Sequence, residues 1–322
     1  MASDEAIQAT NDDATLSKRF AVQVGYWSDP YIGQFANRGT AAAPRRAPEI
    51  NRGYFARTRA IKILLDQFLK VTNCECQIVN LGAGFDTTYW RLSDEGKKPK
   101  NFIEVDFKAV TSKKCHFIKN RKQLLEKISS EDGEICFSNY DLHADDYHVV
   151  GADMRNLSEF ESKLNECHID WKRPTLFMSE CVLVYLEFDK SQALLKYLAD
   201  KCETAFFISY EQVNMGDRFG QVMVENLRTR NCDLNGIDAC ISLDTQMKRF
   251  TENGWTGAEA VDMMKAYKCL PHDEVKRMEK LEFMDEQELL VQLLQHYCIC
   301  WAYREHVEIG LAEINIHSWN QT

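Results

Sequence analysis

The sequence contains no C-x-x-C pair, no run of 18 apolar residues, and only six prolines among 322 residues. The missing Cys pairs remove the repeated knuckle spacing that structural zinc sites use, and the eight histidines do not cluster beside the two C-x-C pairs, Cys74/Cys76 and Cys298/Cys300. No metal site is therefore expected. Without a long apolar run, no helix is expected to cross a membrane. The first twenty residues carry no apolar h-region, which argues against a signal or transit peptide and for a cytoplasmic protein. Positive charge is also short: 39 Lys and Arg face 49 Asp and Glu, a net charge of −10. That balance disfavours a nucleic-acid partner held through phosphates. Twelve cysteines are too few for a disulfide scaffold of this length and read as buried free thiols in a reducing compartment.

What is present is ordinary globular material, 45% hydrophobic and 27% charged. Residues 1–15 are acidic with little to bury and are expected to be a disordered tail. The remainder, 16–322, is read as one domain. Within it, 16–72 form an N-terminal helical arm, with a short helix at Ser17–Val24, a surface loop over 36–48, and a helix capped by Asn51 and running to Thr72. Five strand-like runs follow, alternating with helical patterns: 77–81, 101–106, 147–153, 175–180 and 204–211. Asp189 is placed to cap one of the intervening helices. Such alternation predicts a parallel sheet covered on both faces, with 73–215 as its ligand-binding half. The pattern turns helical over 216–253, and two more strands are expected at 254–262 and 296–305. A helix at 285–295 opens with the capping pattern Asp285/Glu288, and 254–322 complete the sheet.

The chemistry collects at strand ends. IVNLGAGFDTT places Gly82 and Gly84 between an apolar strand and a helix start, where backbone N–H groups can face a ligand. The dinucleotide fingerprint needs Gly or Ala three residues after its second glycine, and Thr87 stands there, which weighs against an NAD-dependent oxidoreductase. Asp106 ends the next strand, 22 residues after Gly84, a spacing suited to ribose hydroxyls. Asp153 and Glu180 end the following strands. Ligands of open α/β sheets lie beyond the carboxyl ends of the strands, so these four ends face one crevice. Acids without a pyrophosphate turn fit a ribonucleoside with a positively charged substituent, and S-adenosylmethionine has that chemistry. Upstream, Lys18 and Arg57 are basic residues that could meet a carboxylate.

Longer stretches are more specific. LSKRFAV, APEINRGYFAR, QIVNLGAGFDTTYWRL, SECVLVYL and YEQVNMGDRFGQVMVENL resemble the leucine carboxyl methyltransferase family, from about Lys18 to Ile314. The resemblance implies a class I S-adenosylmethionine-dependent methyltransferase fold, a Rossmann-like seven-stranded sheet whose last strand, 296–305, runs antiparallel. It also implies a helical substrate lid from 216–253. Its cofactor contacts fall on Lys18, Arg57, Gly82, Asp106, Asp153, Met154 and Glu180. Lys18 and Arg57 would face carboxylates, Asp106 the ribose, Asp153 and Met154 the adenine, and Glu180 the amino-acid end. Met154 replaces the more usual Leu, and nothing carries over onto the alanine-rich loop 39–44 or the residues after Ile314.

The implied reaction is methyl esterification of the C-terminal leucine of the protein phosphatase 2A catalytic subunit, the expected partner of a monomeric enzyme. An α-carboxylate is ionised at neutral pH, its pKa being about 3.3–3.7, so no general base is expected. Lys18, Arg57 and Tyr185 are the candidates for orienting it. The competing readings are a tRNA wybutosine-type relative, disfavoured by the net charge and by the absence of that relative's long C-terminal extension, the oxidoreductase, and a non-catalytic phosphatase-binding scaffold.

Overall fold

The computed structural model describes residues 4–36, 43–128 and 133–317. Among these described residues nine strands form one mixed sheet: β1 (Gln77–Leu81), β2 (Asn101–Asp106), β3 (Cys136–Phe137), β4 (Leu142–His143), β5 (Tyr147–Gly151), β6 (Thr175–Glu180), β7 (Thr204–Gln212), β8 (Gly257–Asp262) and β9 (Tyr297–Glu305). Their order is β3-β4-β5-β2-β1-β6-β7-β9-β8. The strands β5, β2, β1, β6 and β7 are mutually parallel, and β9 runs antiparallel to both β7 and β8. The seven-stranded core thus has the antiparallel strand expected at 296–305. The two-residue strands β3 and β4 add an antiparallel edge that is too short to leave a periodic signal in the sequence.

The central strands are buried on both faces, as parallel strands under crossover helices must be. Alternation still sorts their side chains. Ile78, Phe102, Leu176 and Phe206 point to one face, and Val79, Ile103, Phe177 and Phe207 to the other. The first face is covered by α2 (Pro48–Val71), which presents Leu64, Leu65 and Phe68, with α3 (Thr88–Asp94) and α4 (Lys108–Asn120) beside it. The short α5 (Lys122–Ile128) extends that layer. The second face is covered by α6 (Leu157–Glu166), α7 (Phe188–Lys201) and α9 (Leu243–Thr251), through Phe160, Leu194, Leu198 and Phe250. Each such side chain, fully buried, contributes about 1.5–3 kcal/mol of transfer free energy. The remaining helices are α1 (Asp4–Val24), α8 (Arg218–Arg228), α10 (Met263–Cys269), α11 (His272–Glu279) and α12 (Gln287–Gln295). Among the described residues no helix is long and apolar enough to cross a membrane.

Several expectations change. Residues 4–15 are not a disordered tail but the first half of α1, whose inward face meets the sheet's ligand edge. The helix expected from Asn51 begins at Pro48, because proline at the first helical position needs no N–H partner, and Asn51 instead donates to Glu282. Asp189 lies inside the first turn of α7 with Glu187 at the cap, and the last helix starts at Gln287 behind Glu286, with no side-chain cap. Of 216–253, only the part around α8 lies over the ligand edge. The helix α9 packs under the sheet, where Phe250 meets Phe207 and Trp255. Positions 37–42, which hold most of the alanine-rich loop, lie outside the described residues. All twelve cysteines are unpaired, eight of them are buried, and Cys136 is exposed.

Candidate active site

The carboxyl ends of β1, β2, β5 and β6 open into one cavity of about 540 Å³. The turn after β1 is built for close approach. Gly82 and Gly84 take φ of +65° and +51°, and a Cβ on Gly82 would overlap the Val182 side chain. The turn is supported from below. The buried Lys114 ammonium pairs with Glu104, which Tyr147 also contacts at 2.9 Å, and donates to the Asp86 carbonyl at 2.9 Å. Burial holds the Glu104 carboxyl up at about 7, with the Lys114 charge opposing it.

Asp106 closes the turn from β2. One carboxylate oxygen accepts from the Gly84 N–H at 2.7 Å and the other from the Phe107 N–H at 2.7 Å. Burial raises this carboxyl, and the two N–H groups oppose the rise. A lone pair remains on each oxygen for a ribose hydroxyl. At the end of β5, Asp153 is gripped by the Nε and Nη2 of Arg155, which keeps it ionised against the cost of burial, and the neighbouring Met154 lines the same wall.

At the end of β6, Lys18 and Arg57 converge on a single oxygen. Arg57 Nε lies 2.6 Å and Lys18 Nζ 3.2 Å from Glu180 Oε2. The three side chains are 11–18% exposed. Burial alone would raise the Glu180 carboxyl, but the two cations hold it down at about 2. Arg57 also lies over the Tyr210 ring, 4.5 Å from its centroid, which orders the guanidinium. Both of these hydrogen bonds go to Oε2, and neither goes to Oε1. The triad carries one net positive charge and keeps one carboxylate oxygen available to a ligand amine.

Each sequence-derived residue, Lys18, Arg57, Gly82, Gly84, Asp106, Asp153, Met154, Glu180 and Tyr185, lines this one cavity. Tyr185 lies nearest an apolar cluster of Val184, Met215 and Leu234, and burial pushes its hydroxyl well above its ordinary value. The sequence reading missed the cavity's roof and its supports. From α1, Ile7, Asn11, Ala14 and Lys18 face inward, and Asn11 Oδ1 accepts from the Phe85 N–H at 2.9 Å. Their spacing of four, three and four residues was the available signal, masked by the acids between them. Arg155 ties the start of this helix to the site, holding Asp4 at 2.9 Å as well as Asp153. From the other side α8 contributes Phe219, Met223 and Leu227. Its N-cap Asp217 is fixed by His296 at 2.9 Å. Glu211 also went unread. It is fully buried, and one oxygen accepts from the Val182 and Leu183 N–H groups, fixing the turn in which Cys181 adopts φ +58°.

Strand order, antiparallel β9 and a ligand cavity at the carboxyl edge define the class I methyltransferase fold. A methyltransferase-like protein of Thermobifida fusca shares it, with a TM-score of 0.51 over 80% of this chain and 84% of that one, at 14% identity. The cavity suits S-adenosylmethionine: paired acids serve hydroxyls and amines, glycines give backbone access, and no cradle for a pyrophosphate is needed. The model of leucine carboxyl methyltransferases matches residues 3–199. Leucine carboxyl methyltransferase 1 of Rattus norvegicus is 50% identical over 97% of this chain and 93% of its own length. The Arabidopsis thaliana homologue is 40% identical over 94% and 91%. The human tRNA wybutosine-synthesizing protein 4 is 37% identical, but the match spans only 44% of it. The chain belongs to the leucine carboxyl methyltransferase family, and its cofactor is S-adenosylmethionine.

Proposed function

We propose that this methyltransferase esterifies the C-terminal leucine α-carboxylate of the protein phosphatase 2A catalytic subunit. The observation that carries this reading is the convergence of Lys18 and Arg57 on one oxygen of Glu180, which leaves a buried site with one excess positive charge beside the cavity. S-adenosylmethionine, when bound, supplies an electrophilic methyl group on a sulfonium. Glycines 82 and 84 and Asp106 would hold its ribose end, Asp153 and Met154 its adenine, and Glu180 its amine. Lys18 and Arg57 attract the two carboxylates that must enter, one from the cofactor and one from the acceptor.

The acceptor carboxylate needs no base, since it is ionised at neutral pH. What the chain supplies is position and dryness. An acceptor carboxylate positioned by the chain against the methyl donor would gain the advantage of an intramolecular reaction, roughly 7–11 kcal/mol. Roofing by α1 and α8 excludes the water that would otherwise stabilise the carboxylate. Tyr185, Phe219, Met223 and Leu227 form an apolar wall suited to a leucine side chain. The enzyme is incubated with radiolabelled S-adenosylmethionine and phosphatase 2A core enzyme, either intact or lacking its terminal leucine. Label should enter only the intact substrate and be released by mild alkali, as an ester. Equal labelling of both would refute the assignment.

A further inference from the structure

At the opposite edge of the sheet a second group of ligating side chains comes together. In the β4–β5 pair, His143 and His148 are register partners, so both side chains project from the same face. Their Nδ1 atoms are 3.1 Å apart. Cys167, at the C-terminus of α6, completes the group, and the three ligand atoms all lie within 4.8 Å of one another. His148 is 3% exposed and Cys167 fully buried, whereas His143 is half-buried. The cysteine is well fixed: its carbonyl accepts from Asn101 Nδ2 at 2.8 Å, and its N–H bonds the last turn of α6. None of these residues lines the cofactor cavity.

We propose that His143, His148 and Cys167 form a binding site for a zinc-class divalent cation, with water at the fourth position. Tetrahedral zinc with bonds of about 2.0–2.1 Å to nitrogen places two imidazole nitrogens about 3.3 Å apart, close to the separation seen. Two nitrogens and one sulfur are the donor set of a borderline-soft metal, not of calcium or magnesium. The half-buried His143 leaves the fourth position on the solvent side. The adjoining acids Asp141 and Glu166 do not form a rival site, because the Lys163 ammonium already lies between them, at 3.1 and 2.6 Å. They do supply negative charge next to the cation. The physical role is a staple. The edge strands β3 and β4 are two residues long, and a metal would tie β4, through His143, to β5 and the end of α6. The His-x₄-His-x₁₈-Cys spacing is not a knuckle, so only the fold reveals the group.

The test titrates Co²⁺ into the full-length, reduced, chelator-stripped protein. One equivalent should bind and give a near-ultraviolet thiolate-to-cobalt band, and Zn²⁺ should displace it. Cys167→Ser and Cys167→Ala should each lose the band. His143→Asn, a half-buried change that spares the core, should weaken binding by more than the 10–100-fold that loss of an outer-shell partner costs. Cys136→Ser should leave the titration unchanged. So should Cys269→Ser, which controls for the exposed pair formed by Cys269 Sγ and His317 Nδ1 at 3.4 Å. Zn²⁺ should raise the melting temperature of the parent and not of the Cys167 variants. No band at excess Co²⁺, a band that survives loss of Cys167, or a band that vanishes in Cys269→Ser would each overturn the site and leave His143 and His148 as a hydrogen-bonded pair.

Discussion

Replacing Glu180 with Gln removes one charge from the centre of the site while keeping its shape. Lys18 and Arg57 hold this carboxyl at about 2 against an ordinary 4.5. At about 1.4 kcal/mol per pH unit, that difference is worth about 3 kcal/mol of folding stability. The side chain is only 14% exposed, so solvent screening reduces the figure little. The sign follows from the depressed value: the contribution is fully present above pH 4.5 and is lost as pH falls through about 2. At pH 3.5 about 2 kcal/mol should remain. Glu180→Gln also strands two buried cations, which adds to the loss at neutral pH. Urea unfolding of parent and variant at pH 7 and pH 3.5 measures the gap, which should narrow by about 1 kcal/mol at the lower pH. Calorimetry at pH 7 should show weaker S-adenosylmethionine binding, by roughly 10–100-fold, the cost of a lost charge-assisted hydrogen bond. Equal midpoints at pH 7, or a gap independent of pH, would refute the reasoning.

Two further outcomes test the site's architecture. Asn11→Ala removes the acceptor for the Phe85 N–H. It should lower the melting temperature, the Phe85 N–H being left unsatisfied at a cost of about 1–3 kcal/mol, and weaken cofactor binding as α1 loses its tie to the glycine turn; an unchanged Kd would detach α1 from the site. Gly82→Ala should destabilise by more than the ~1–2 kcal/mol of a left-handed backbone, because its Cβ meets Val182, and Val182→Ala should recover part of that loss in thermal melts.

The sequence alone determined the sheet's central strands and what stands at their ends. Apolar runs of five or six residues closed by Gly82, Asp106, Asp153 and Glu180 are local signals, and the carboxyl-edge rule places their ends at one crevice without any knowledge of packing. Arg57 and Lys18 were legible as a basic pair, but their convergence on one oxygen of Glu180 was not, since it depends on how α1 and α2 cross the strand ends. The first half of α1 was misread because its acids obscured the inward row Ile7, Asn11 and Ala14 that leads to Lys18. Helical stability there comes from docking against the sheet, which local propensity does not report. The same limit hid Glu211, a strand residue whose only signal is the turn it holds, and the His143–His148–Cys167 group, whose members meet only because an antiparallel edge pair sets two histidines face to face and α6 ends beside them. Residues that act through neighbours in the chain were readable from their order. Residues that act through neighbours in space were decided by the tertiary fold, because side chains from distant segments become neighbours only when the strands and helices carrying them have packed.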